Sequence, residues 1–142
     1  MKPVNELKLD YDQTNPQKTL SADRLKFVAK LLRLEIKDIK AYRTANGIHI
    51  RIVLRSPVHP LIAVTIQSLM GSDYARETYN LIRVLNLTAK PEQYSQTAHE
   101  TWNVLYYKKL VNKKVSSQEV FDPDLTEKLR RELNVRDQTL PK

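Results

Sequence analysis

Hydrophobic and polar residues alternate cleanly in two short runs, and both predict β-strands. In Leu7-Lys8-Leu9-Asp10-Tyr11-Asp12, successive side chains of an extended chain point to opposite faces. Leu7, Leu9 and Tyr11 therefore take one side, and Asp10 and Asp12 the other, roughly 7 Å apart along the chain. In the second run, Ile48, Ile50, Ile52 and Leu54 face one way and His49, Arg51, Val53 and Arg55 the other. A third run, from about Ile36 to Thr44, meets the second across Ala45-Asn46-Gly47. Asn-Gly between two alternating segments is a strong hairpin signal.

Helical spacing governs the segments between. Leu25, Val28, Ala29 and Leu32 recur at intervals of three and four behind Ser21 as N-cap, which predicts a helix ending near Leu34. Pro60 suits the first turn of a second helix through Leu61, Ile62, Val64, Ile66, Leu69 and Met70. Gly71-Ser72 breaks it, and Ser72 caps a continuation from Asp73 to about Leu85. There Tyr74, Thr78, Leu81, Ile82 and Leu85 supply the expected buried side, while Arg76, Asn80 and Arg83 form a polar stripe. Residues 86–100 read as a long polar loop, Trp102 to Val111 as a fourth strand, and Lys113 to Ser117 as a turn. Asp122-Pro123 caps a short helix through Leu125, Leu129 and Leu133, and a frayed tail covers 135–142.

The order strand, helix, strand, strand, helix, strand predicts one α+β domain over residues 1–134 with ferredoxin-like βαββαβ topology. This is a two-layer sandwich on an antiparallel sheet, with the first and third strands central and helices on one face. Asp10, Asp12, His49 and Arg51 then share the uncovered face.

Composition narrows the function. The chain of 142 residues has no cysteine, which excludes disulfides, thiolate metal sites and cysteine nucleophiles. No run approaches the ~18 apolar residues of a membrane span, and the Met-Lys-Pro-Val start lacks a signal-peptide core. A cytoplasmic protein without a membrane partner is expected. Net charge is +8, and between Arg24 and Arg55 nine cations stand against Glu35 and Asp38 alone, a local excess of nine less two, or +7. A polyanion is the implied partner, because each neutralised phosphate releases condensed counterions. The plainer alternative is a basic surface that keeps the protein soluble.

On the open face, Asp10 and Asp12 offer hard oxygen ligands for Mg²⁺ or Mn²⁺, and His49 and Arg51 can contact a phosphate. The competing explanation is a wet sheet face on which the two acids pair with Arg51 or Arg55. Tyr42, flanked by Lys40 and Arg43, shares the open-face phase and suits base stacking. Arg76 and Arg83 can clamp a phosphate backbone. Lys108 and Lys109, beside Tyr106 and Tyr107, fit a single-strand platform or simply a protected sheet edge.

The run Leu7-Lys8-Leu9-Asp10-Tyr11-Asp12 resembles the first motif of the archaeo-eukaryotic primase superfamily, an aspartate pair closing an apolar strand. Gly47-Ile48-His49 resembles its second, a small residue, any residue, then histidine. The resemblance covers about the first 55 residues, and the family's third motif, an aspartate on a later strand, has no counterpart between Trp102 and Val111. It implies that Asp10 and Asp12 bind the catalytic metal and His49 the phosphates of an incoming nucleotide. Two related patterns fit less well. Rolling-circle initiators need a second histidine where Arg51 stands, with Tyr74 or Tyr106 as nucleophile, and RNA-recognition modules need aromatics where the third strand has isoleucines. The expectation is a nucleic-acid-binding protein, a reduced primase-related or replication-associated domain. The alternatives are an active metal-dependent nucleotidyltransferase or nuclease using Asp10, Asp12 and His49, and a basic protein-binding adaptor.

Overall fold

The computed structural model describes residues 1–105, 108–111 and 114–135, with side chains for 1–105 and 118–135. The two alternating runs are strands β1 (Val4–Asp12) and β3 (Gly47–Val58), and β2 (Ile36–Arg43) lies on the other side of β3. All pairings in this sheet are antiparallel, with Leu9 opposite Ile50, Asp10 opposite His49, and His49 opposite Tyr42. The apolar phase points inward: Leu7, Leu9, Tyr11, Ile39, Ile50 and Ile52 are fully buried. They form one core with Leu25 and Val28 of helix α1 (Ala22–Leu31), Val64 and Ile66 of α2 (Pro60–Leu69), and Leu129 of α5 (Pro123–Glu132). The result is an α+β architecture in which a four-stranded antiparallel sheet packs its apolar face against α1, α2 and α5.

Caps set the helix limits. The Ser21 hydroxyl accepts from the Arg24 N–H, His59 Nδ1 from the Leu61 N–H, and the Asp122 carboxylate from the Leu125 N–H. Helix α1 ends earlier than its apolar spacing predicts. Arg33 adopts a left-handed φ of 52°, and the Leu34 N–H turns back to the Ala29 carbonyl.

The strand order is β1-β3-β2-β6, where β6 (Val120–Phe121) pairs with Arg43 and Tyr42. The expected fourth strand over 102–111 does not flank β1. Residues 101–105 are irregular, and β4 (Lys108–Val111) pairs instead with β5 (Lys114–Gln118) in a separate hairpin, where a turn was expected. Tyr106, Tyr107 and Lys113 lie outside the described residues, as does the predicted tail beyond Val135.

What replaces that strand is a row of polar groups from α2 and α3 (Tyr74–Ala89). On the outer rim of β1, the Lys8 N–H donates to Gln67 Oε1 at 2.9 Å and the Asp10 N–H to Ser72 Oγ at 3.0 Å. The Lys8 carbonyl accepts from Arg76 and the Asp10 carbonyl from the Asp73 N–H. Every outward group of Lys8 and Asp10 is thus paired without a neighbouring strand.

Supplying those groups turns α3 over. Glu77 and Asn80 are buried with Val84 and Leu87, while Tyr74, Leu81, Ile82 and Leu85 are exposed, the reverse of the expected orientation. The helix also continues past Leu85 to Ala89, and α4 (Gln96–Glu100) occupies part of the predicted loop.

Candidate nucleic-acid interface

The register between β1 and β3 brings Asp10 and His49 together on the sheet face opposite the apolar core. His49 is buried, with Nε2 3.4 Å from Asp10 Oδ1 and Nδ1 2.8 Å from Glu119 Oε2. Glu119 also accepts from Arg51 at 3.1 Å, and Arg51 lies 3.7 Å from Glu6. Charges therefore alternate along a row: Asp10, His49, Glu119, Arg51, Glu6. An imidazole with a carboxylate on each nitrogen satisfies both only as the doubly protonated cation. Burial lowers the His49 pKa, but hydrogen bonds and charge from Asp10 and Glu119 outweigh it and raise the pKa above the ordinary 6.5.

A pH dependence follows. A group whose pKa is higher folded than unfolded contributes its full stability below the unfolded pKa and loses it as pH rises through the folded one. Heating curves should show the native protein losing stability above pH 6.5 relative to His49→Gln, with the two running parallel at lower pH. Parallel behaviour across the whole range would show that the row of charges does not hold the imidazolium.

Asp12 follows a different course. Its Oδ1 accepts from both the Thr14 N–H at 2.9 Å and the Thr14 hydroxyl at 2.6 Å, which holds its carboxyl below the usual range. The carboxylate that joins Asp10 from elsewhere in the chain is Asp73, linked through its N–H to the Asp10 carbonyl. Lys18 Nζ stands 3.0 Å from Asp73 Oδ1, but that oxygen receives no hydrogen bond of good geometry. It is charge-paired and still has acceptor capacity. Among the described residues, no three His, Asp or Glu side chains converge as a metal site. Both Thr14 bonds fall on Oδ1 of Asp12, and Asp10, Asp12 and Asp73 line one cleft of about 200 Å³ together with Lys18.

Between this face and α3 lies a cleft of about 320 Å³, lined by Asp10, His49, Asp73, Arg76, Tyr79 and Arg83 with Val104 and Leu105. Arg83 and Tyr79 are exposed at its wall, and Arg83 donates to Asn80 Oδ1 at 3.2 Å. Arg76 is committed to structure: it binds the Lys8 and Val104 carbonyls, Glu77 and Asn103. Tyr42 packs edge-on against Phe121, with ring centres 5.7 Å apart, and the Arg51 guanidinium lies 5.6 Å from the Tyr42 centroid. Lys40 is exposed opposite Arg51. Arg43 falls in the other phase and pairs with Asp122 at 3.6 Å, while Arg55 is exposed at the far part of β3. The backbones of Lys108 and Lys109 belong to β4, and their side chains lie outside the described set.

Sequence reading brought Asp10, His49, Arg51 and Tyr42 together and missed Glu119, Asp73 and Phe121. The last two had weak signals only: Asp73 sits at a helix break, and Phe121 in a strand too short to alternate. Glu119 carried none. No family model, curated protein or solved structure matches the chain. No helix among the described residues is long and apolar enough to cross a membrane.

Proposed function

We propose that this is a nucleic-acid-binding protein that takes a single strand across the open sheet face and into the cleft beside α3. The observation that carries this reading is the cleft wall, where exposed Arg83 and Tyr79 stand beside His49. A cation and an aromatic ring at the same opening suit a phosphate and an unstacked base. Tyr42, Phe121 and Lys40 continue the same chemistry across the sheet. The order β1, α1, β2, β3, α2 follows the first five elements of a ferredoxin-like domain. With the resemblance of the Asp10 and His49 motifs, it supports a reduced primase-related or replication-associated domain. A second reading, a metal-dependent nucleotidyltransferase or nuclease, is favoured by the spare acceptor capacity of Asp73 Oδ1 beside Asp10.

The test is anisotropy with labelled single strands of DNA and RNA and with duplexes, over a salt series, with and without Mg²⁺ or Mn²⁺. A site meeting about four phosphates gives a log–log salt slope near −3 for single strands. Tyr79→Ala with Arg83→Ala should weaken binding by about 10–100-fold, since a stacked base contributes about 1–3 kcal/mol. Binding that ignores salt, or that this double variant leaves unchanged, would remove the cleft from the function and favour a protein-binding adaptor. Product formation that needs Mn²⁺ and is lost in Asp10→Asn would establish the second reading.

A further inference from the structure

Helix α3 leaves outside the residues that a helix of this composition ordinarily buries. Tyr74 is 72% exposed, Ile82 50%, Leu85 49% and Leu81 39%. Tyr74, Thr78, Leu81 and Leu85 recur at intervals of four, three and four, the spacing of a helix–helix seam. That face carries no charge: Glu77 and Arg76 turn into the polar network and Arg83 toward Asn80 and the cleft. The neighbouring α2 has no charged residue at all and exposes Ile62 and Leu69. Lys18, 4.9 Å from the Tyr74 ring centre, is neutralised by Asp73.

We infer that a second copy of this chain covers the outer face of α3, helix against helix about a twofold axis. The charge distribution selects this occupant. In a molecule of net charge +8, two copies approach without like-charge contact only where both present an uncharged surface. An acidic partner or a nucleic acid, by contrast, finds at this face, among the described residues, no cation but Lys18, which Asp73 already pairs. A self-complementary apolar seam is what an isologous dimer requires. Stable pairs remove ~800 Å² from each copy. A helix of 16 residues, ~24 Å long, with the exposed rim of α2 beside it presents a face on that scale.

Sedimentation of the full chain over ~1–100 μM, bracketing ordinary dimer affinities, tests the pairing. The native protein should sediment as a dimer, and Leu81→Glu with Leu85→Glu as a monomer with unchanged circular dichroism. Because the seam is uncharged, raising salt from ~50 to ~500 mM should not dissociate the dimer. Ile82→Lys, a single exposed change, reads the same contact independently and should weaken association at least ~10-fold. A native protein that is monomeric throughout would overturn the inference, and so would a dimer unaffected by these changes.

Discussion

Glu77→Ala is expected to be the most damaging single substitution on α3, costing about 3–5 kcal/mol, the loss seen when one member of a buried charge pair is removed. Glu77 is 3% exposed. Its Oε1 accepts from Gln67 and Asn80, and its Oε2 from Ser72 and Arg76. Truncation leaves four donors without that acceptor, one of them a guanidinium with no other carboxylate partner among the described residues. Domains of this size are stable by only about 5–15 kcal/mol, so the urea midpoint should fall steeply or the fold should fail. Asn86→Ala, at an exposed site on the same helix, should cost within about 0.5 kcal/mol. Equal losses for the two would show that the network does not anchor α3.

Gly47→Ala should be nearly as severe, on the order of 3 kcal/mol. A Cβ at this position would lie 1.9 Å from the Tyr11 carbonyl oxygen and 3.0 Å from its carbon. Both atoms belong to the backbone of β1, so relief requires β1 and β3 to separate at the end that carries Asp12. Hydrogen exchange should rise first at residues 11–12 and 47–48, and the urea midpoint should fall. Native-like exchange at those amides would mean that the strands reach a register the alanine can share.

Gly47 shows how much was legible and on what grounds. Its place in Asn46-Gly47 identified the hairpin and hence the register that sets Asp10 against His49 and His49 against Tyr42. The glycine itself is required for the close approach of β1, not for a left-handed turn. Strands β1 and β3 were readable because a period of two with one apolar phase permits one inward face. Helix α3 was misread because its apolar stripe was assigned to the core by periodicity alone. The open rim of β1 needed hydrogen-bonding side chains more than it needed leucines, and local spacing does not record that need. Glu119 was invisible for a related reason. It stands between β5 and a two-residue strand, where there is no alternation to assign its face, and only tertiary pairing brings it to His49 and Arg51.

The pairing along the outer rim of β1 also limits how this protein can recruit another chain. Many sheet proteins capture peptides by adding them as an extra strand, using free amides and carbonyls at an edge. Here Gln67, Ser72, Asp73 and Arg76 already occupy the outward groups of Lys8 and Asp10. At the other side, Thr126 and Asp122 hold Ala41, and Asp38 holds the Ile39 N–H. Such a sheet resists templating a misfolded neighbour at these positions. On the function proposed above, the sheet would meet a nucleic acid through side chains across its face and not through backbone at its edge.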